Sequence, residues 1–229
     1  MQGRLIVFEG IEGCGKTTQL HRLRQWLQQP SQRQFTGDIP LVLTREPGGT
    51  PLGQALREIL LSPDAEHNGP ADEIHPVTEL LLYASDRCQH VMTQLKPELA
   101  AGALILCDRY TDSTVAYQGF GRGLDRALID HLNRIATAGL QSDLTLWLDL
   151  DVEQSLSRVR QRGARDRIEQ SSIAFHRRVR DGFASLAHQD SERIVRIDAS
   201  VDPNSVAVAV QQVVQQRWQQ WQQQSDHGD

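Results

Sequence analysis

The segment Gly10-Ile11-Glu12-Gly13-Cys14-Gly15-Lys16-Thr17 fits the pattern of a glycine, four residues, and then Gly-Lys-Thr. In such a loop the backbone amides surround phosphate oxygens, the lysine reaches the β- and γ-phosphates, and the hydroxyl binds Mg²⁺. An apolar run at residues 5–8 predicts a strand before the loop. Leucines 20, 23 and 27 predict a helix after it, whose N-terminus adds a favourable dipole. We therefore predict a P-loop that binds ATP through residues 10–17 and Thr18.

Short apolar runs and helical patterns alternate along the chain. The runs span residues 4–8, 41–44, 104–107, 144–150 and 193–197. Their apolar residues follow one another without alternation, which is typical of parallel strands covered on both faces. Helical spacing is present at residues 20–27, 80–91 and 127–138. These patterns predict a doubly wound α/β fold with a five-stranded parallel sheet, in a single domain over residues 1–229.

Other segments predict loops and a closing helix. Glycine, proline and polar residues indicate loops at residues 30–40, 63–76 and 119–123. Asp202 and Pro203 predict the N-cap and first residue of a C-terminal helix.

Composition disfavours several kinds of partner. The net charge of −5 gives no overall attraction to nucleic acid or anionic membranes. The longest apolar stretches are far shorter than the roughly 20 residues that span a bilayer, and the first residues lack the apolar region of a secretory signal. Cys14, Cys88 and Cys107 have no metal-ligand spacing. We expect a cytoplasmic protein that binds neither nucleic acid nor membrane and has no disulfide or zinc site.

Arginine supplies nearly all of the positive charge, because only Lys16 and Lys96 of the 24 basic residues are lysines. Neither lysine stands in an Asn-Lys-x-Asp motif, which disfavours a GTPase. Arg45 follows the second predicted strand, and Asp108 and Arg109 follow the third, at the sheet edge where open α/β folds bind ligands. Both arginines suit a phosphate. Asp108 is placed to hold Mg²⁺ through water, with a helix or turn cap as the alternative.

Five motifs then follow one another in the order of a known family. They are Phe8-Glu9-Gly10 before the P-loop, Thr44-Arg45-Glu46-Pro47-Gly48-Gly49-Thr50, Leu80-Leu81-Leu82-Tyr83-Ala84-Ser85-Asp86-Arg87, Asp108-Arg109-Tyr110 with Ala116-Tyr117-Gln118-Gly119, and Asp166-Arg167-Ile168-Glu169. From residue 5 to about residue 199 the chain resembles the thymidylate kinase family. The resemblance implies a P-loop nucleoside monophosphate kinase fold, a homodimer, and an enzyme that phosphorylates dTMP to dTDP with Mg²⁺ and ATP in dTTP synthesis.

The resemblance also implies roles for residues around the acceptor phosphate. Glu12 is expected near the 3′-hydroxyl of dTMP, and Arg45 and Arg109 at its phosphate. Lys16, Glu12 and Arg109 are expected to be catalytic. Thr17 and Asp108 are the expected metal ligands.

Further expected roles concern the base and sugar. The resemblance implies that Tyr83 stacks on thymine, that Arg87 hydrogen-bonds the base, and that Tyr117 crowds the ribose 2′ position, with Ser113 and Gln118 also in the substrate site. Tyr83 and Arg87 are four apart on a predicted helix and so share a face. By itself that pair is more typical of an ordinary contact at the edge of a core.

Residues 158–167, after the fourth predicted strand, include five arginines. A solvated helix or a nucleic-acid patch is the generic interpretation of such a run; in a nucleotide kinase it is a lid, at about residues 158–170. Some family members have an arginine where this chain has Gly13, which implies here that the lid supplies the catalytic arginine. Arg160 and Arg162 are the leading candidates; Arg158, Arg165 and Arg167 stay open.

Two other functions stay open from the residues. One is a kinase of the same fold acting on another nucleotide or deoxynucleoside. The other is a regulatory ATP-binding switch without turnover of a small molecule.

Overall fold

A computed structural model describes residues 3–32, 37–62, 74–163 and 166–226. Five parallel strands form one sheet in the order β2-β3-β1-β4-β5. The strands are β1 Arg4–Glu9, β2 Leu41–Arg45, β3 Leu104–Asp108, β4 Leu144–Asp149 and β5 Ile194–Asp198. All five predicted strands are confirmed, with ends that shift by one residue.

Helices connect the strands. In chain order they are α1 Lys16–Leu27, α2 Pro51–Leu61, α3 Pro76–His90, α4 Lys96–Ala100, α5 Thr111–Thr114, α6 Arg126–Thr137, α7 Val152–Arg162, α8 Ile173–Gln189 and α9 Pro203–Asp226. A short π-helix at Val91–Leu95 joins α3 to α4, and a short 3₁₀ helix lies at Pro30–Gln32. Asp202 accepts hydrogen bonds from the backbone amides of Asn204 and Ser205, which confirms the predicted N-cap of α9.

Hydrophobic packing covers both faces of the sheet. Ile6 and Phe8 of β1 belong to a large cluster that includes side chains of α1, α8 and α9. Leu5 and Val7 point the other way, into a smaller cluster with Val91 and neighbouring residues. The alternation of one strand between two cores is the doubly wound arrangement predicted from the sequence. No helix within the described ranges has the length and hydropathy needed to cross a bilayer.

The predicted loop at residues 119–123 is wrong in its first part. Val115–Gly121 continues α5 as a π-helix, and α8 packs closely across it. A Cβ added at Gly121 would lie 2.7 Å from the ring of Phe175, and one at Gly182 would lie 2.9 Å from the ring of Phe120. These glycines permit two helices to approach closely, so they do not mark a loop. Most of the loop predicted at 63–76 lies outside the described residues.

Candidate active site

The P-loop joins β1 to α1 as predicted. Gly10, Gly13 and Gly15 all have left-handed or otherwise positive φ angles, between 73° and 136°, which residues with a Cβ rarely adopt. The Lys16 side chain is buried, and its Nζ donates to the carbonyl oxygens of Gly10 and Ile11 at 3.0 Å each. The loop therefore carries one fixed positive charge within it.

Helix α7 lies directly against the P-loop. Ser155 Oγ donates to the carbonyl oxygen of Glu12. A Cβ at Gly13 would stand 2.7 Å from the Ser155 carbonyl oxygen, and the φ of Gly13 is +73°. An arginine at position 13 has no room here, so an arginine that reaches a bound phosphate must come from another part of the chain.

Thr17 and Asp108 meet at the carboxyl ends of β1 and β3. These strands are neighbours, with Phe8 opposite Asp108, and Thr17 Oγ1 donates to Asp108 Oδ2 at 2.8 Å. Hydroxyl and carboxylate oxygens are the ligand types that Mg²⁺ accepts, so the pair fits the expected metal. The N-cap of α5 is Tyr110 and has no side-chain cap, which gives no support to the alternative that Asp108 caps this helix.

Arg109 lies at the centre of a charged network. Its Nη2 donates to Glu12 Oε1 at 2.8 Å, and its Nη1 to Ser113 Oγ at 3.0 Å. Tyr117 donates its hydroxyl to the same Glu12 oxygen at 2.6 Å, and the guanidinium lies 4.9 Å from the Tyr117 ring centre. Burial alone would raise the pKa of Glu12, but Arg109 and Lys16 outweigh it and hold this pKa below its ordinary value.

Sequence reasoning missed Glu9, the last residue of β1. Its buried carboxylate accepts from the amides of Tyr110 and Ser113, at 2.8 and 3.1 Å, and from Ser113 Oγ at 2.6 Å. These bonds enclose Arg109, whose φ of +73° is uncommon for a residue with a side chain. Burial raises the pKa of Glu9 to about 7. The sequence offered one signal for this role: Glu9 is a charged residue that directly follows the apolar run at residues 5–8.

An open cleft of about 900 Å³ lies beside the P-loop. All eight predicted acceptor residues line it: Glu12, Arg45, Tyr83, Arg87, Arg109, Ser113, Tyr117 and Gln118. Arg57 of α2 also lines the cleft, and its Nη1 donates to the Pro47 carbonyl oxygen at 3.1 Å. Burial and the charge of Arg45 lower the pKa of Arg57. Sequence reasoning missed this additional cation, because nothing on α2 indicates which helix face meets the cleft.

Arg87 is held mainly by protein groups. Its Nε donates to Glu46, its Nη1 to Thr114 and Asn133, and its Nη2 to the Tyr110 carbonyl oxygen, all within 2.9 Å. A guanidinium has five N–H donors; four of those of Arg87 are taken up by these groups of the described residues, and Arg87 also lines the cleft. The peptide between Glu46 and Pro47 is cis.

A second cavity, open to solvent and with about 1150 Å³ of space, also adjoins the P-loop. Cys14, Gly15 and Thr18 line it together with Pro203 and Val206 at the start of α9. Four residues line both cavities: Gly13, Lys16, Thr17 and Arg162. Of the remaining residues predicted for ATP, Gly10 and Ile11 supply the carbonyl groups that hold Lys16.

The lid arginines differ in position. Arg162, at the end of α7, borders both cavities, and Arg158 borders the second. Arg160 is exposed and lines neither cavity. Arg167 turns away to Glu79, and Arg165 lies outside the described residues. The structure thus brings Arg162, and not Arg160, to the point where the cavities meet.

Comparisons with known proteins agree with this geometry. A family model described as thymidylate kinase matches residues 8–210. Curated proteins named thymidylate kinase include one from Cyanothece sp., 57% identical and covering 96% of this chain and 97% of that protein, and one from Nostoc punctiforme, 58% identical and covering 93% and 96%. A crystal structure of thymidylate kinase from Ehrlichia chaffeensis is 33% identical, covers 93% of this chain and all of that one, and superposes with a TM-score of 0.72. The chain therefore belongs to the thymidylate kinase family.

Proposed function

We propose that the first cleft binds dTMP and the second cavity binds ATP, and that the chain transfers the γ-phosphoryl group of ATP to dTMP, giving ADP and dTDP. One observation carries this assignment: Lys16 and Thr17 of the P-loop border both cavities. Phosphoryl transfer requires that the attacking and leaving oxygens lie roughly in line, and residues shared by two adjoining cavities mark where the two substrates can meet. Because the chemistry needs little covalent participation by the protein, positioning and charge account for most of the catalysis.

Lys16 would contribute its ammonium group to the β- and γ-phosphate oxygens. The ammonium is already held by the carbonyl groups of Gly10 and Ile11, so little reorganisation is needed when ATP binds. Thr17 and Asp108 would hold Mg²⁺. When bound, that ion neutralises charge on the phosphates.

Arg45 and Arg109 would fix the acceptor phosphate. Arg109 is positioned by Glu12 and Ser113, and two guanidinium groups at one phosphate orient it for attack. Glu12 would also approach the 3′-hydroxyl of the sugar. Tyr117, fixed by its hydrogen bond to Glu12, would fill the space of a ribose 2′-hydroxyl and so favour deoxyribose.

Tyr83 and Arg87 would recognise the base. Both line the cleft, and an aromatic ring suits stacking on thymine. Residues 158–170 would act as a lid, with Arg162 reaching the transferred phosphoryl group as the lid closes and excludes water.

A coupled assay of ADP release tests the proposal. We expect turnover only when ATP, Mg²⁺ and dTMP are all present, with dTMP preferred over other nucleoside monophosphates and over thymidine. ADP release that does not depend on dTMP would support an ATP-binding switch instead. Equal or faster turnover of another nucleotide would refute the acceptor assignment.

We also propose that the chain is a single kinase domain that works in the cytoplasm as a homodimer. Helix α3 packs against α2 on one side and α6 on another. All three helices carry exposed apolar side chains, including Ile59 (56% exposed), Leu81 (48%) and Ile135 (60%). Exposed apolar groups on adjacent helices are typical of interfaces. Light scattering should give the mass of a dimer. We expect Ile135→Asp to lower this mass, and Val208→Asp, at an exposed position of α9, to leave it unchanged.

A further inference from the structure

Glu79, in the first turn of α3, has no solvent exposure. It was not singled out from the sequence, and the roles proposed above do not use it. Its Oε1 accepts from Gln118 Nε2 at 2.8 Å and from Arg122 Nε at 3.3 Å, and its Oε2 accepts from Arg122 Nη2 at 3.1 Å. Arg167, at the end of the lid, donates to Oε2 as well. A buried carboxylate thus joins the cleft wall to the lid.

The two arginines keep this carboxylate ionised. Burial by itself would raise the pKa of Glu79, but the hydrogen bonds and charges of Arg122 and Arg167 outweigh it, and the pKa lies below its ordinary value. An ionised carboxylate accepts hydrogen bonds and donates none. Each group that contacts Glu79 must therefore offer a hydrogen.

This requirement determines the orientation of the Gln118 side chain. A glutamine amide has a donor end and an acceptor end, and Glu79 can pair only with the NH₂ end. Gln118 is 2% exposed and lines the acceptor cleft. Its Oε1 is the amide atom left over, so the cleft wall offers a hydrogen-bond acceptor at this position.

The second polar group of the wall has the opposite character. Arg87 has one N–H that is not used by the protein groups described above, so it offers a donor. The hydrogen-bonding edge of thymine has a carbonyl oxygen at position 4 and an N–H at position 3, which match a donor and an acceptor. Cytosine has the reverse pattern, with an amino group at position 4 and an unprotonated nitrogen at position 3.

We propose that Glu79 is a positioning residue that sets base specificity: by holding the NH₂ group of Gln118, it leaves the Gln118 oxygen to accept a hydrogen bond from the ring N–H of the acceptor base. This inference rests on the proposed binding of dTMP in the cleft. It extends that proposal because Glu79 itself touches no substrate. Its effect passes through the amide of Gln118.

The substitution Glu79→Gln tests the inference with little change in volume. Oε2 accepts from both Arg122 Nη2 and Arg167, whereas Oε1 has only the longer arginine contact from Arg122 Nε. The new amide should therefore keep its oxygen on the Oε2 side and turn its NH₂ toward Gln118, which must then turn its own oxygen inward and its NH₂ toward the cleft. We expect the ratio of kcat/KM for dTMP to that for dCMP to fall at least about tenfold, a small part of the roughly 10⁴-fold by which a site built for a hydrogen bond can discriminate. The KM for ATP should stay within about threefold.

Two further variants separate orientation from stability. Glu192→Gln, a change at an exposed carboxylate, should leave the ratio unchanged. In a Gln118→Met background, Glu79→Gln should no longer alter the ratio, because the amide through which it acts is gone. If Glu79→Gln is too unstable, the charge-balanced Glu79→Gln/Arg122→Met pair, compared with Arg122→Met alone, makes the same measurement.

The outcomes are distinct. A purely structural role would lower kcat/KM for both nucleotides equally, and an unchanged ratio in a folded Glu79→Gln variant would overturn the inference. If the wild-type chain did not phosphorylate dTMP, the proposed function itself would fail.

Discussion

Replacing Glu9 by glutamine should change how stability depends on pH. Glutamine has nearly the same shape as glutamate, and its oxygen can still accept from the Tyr110 and Ser113 amides, while its NH₂ group can donate to Ser113 Oγ. The Glu9→Gln variant should therefore fold. What it loses is the buried ionisable group, whose pKa rises from 4.5 to about 7 on folding.

The sign and size of the effect follow from that rise. Because the folded state holds the proton more tightly, Glu9 contributes stability that is fully present below pH 4.5 and is lost as the pH rises to about 7. The interval is about 2.5 pH units, and each is worth about 1.4 kcal/mol, so the full change is about 3.5 kcal/mol. Between pH 5 and pH 8 the wild-type free energy of unfolding should fall, relative to that of Glu9→Gln, by about 2 to 3 kcal/mol.

Urea unfolding followed by tryptophan fluorescence measures this difference, at one protein concentration and at several pH values. Trp147 and Trp218 are buried and will report loss of the core. Glu192→Gln serves as the control and should run parallel to wild type. If the difference between wild type and Glu9→Gln stayed constant to within about 0.5 kcal/mol over this pH range, Glu9 would not titrate as the structure indicates.

Further predictions concern catalysis. Arg162→Ala should lower kcat at least about a hundredfold with little change in dTMP affinity, because the contact forms mainly in the transition state; Arg160→Ala should stay within about threefold, and the reverse result would exchange their roles. Lys16→Ala should retain less than about a tenth of wild-type kcat. Arg45→Ala should weaken dTMP binding far more than ATP binding, and calorimetry showing equal losses would refute its place on the acceptor side. Tyr117→Ala should raise activity on the ribonucleotide relative to dTMP, and an unchanged ratio would count against its role.

The sheet and the P-loop could be predicted because their signals are local. A continuous apolar run such as residues 104–107 reports burial on both faces, whatever its partners are. The glycines of the loop and Lys16 stand together in the sequence. The glycines of Val115–Gly121 led to the wrong prediction of a loop, because glycine occurs both in turns and at close contacts between helices. The residue that distinguishes the two cases here is Phe175, which is distant in the chain.

Side-chain networks could not be predicted, since their members are far apart. Glu9 binds residues about a hundred positions later, and Glu79 meets Arg167 from 88 positions away. The choice between lid arginines depends on helix phase. Val159 is buried, and Arg162, three residues on, shares its side of α7, whereas Arg160 is turned away from it. Without the fold, nothing in the spacing indicates that Val159 faces inward.

The contact between α1 and α9 has a consequence for synthesis of the chain. Gln19 donates to the carbonyl oxygen of Pro203, 184 positions later, and Pro203 and Val206 form part of the wall of the second cavity. A ligand stabilises only those states in which its site exists. The P-loop leaves the ribosome early, but ATP cannot use this wall to stabilise the nascent chain until the start of α9 has emerged. During most of translation, nucleotide binding at this wall therefore contributes nothing to the stability of the growing sheet.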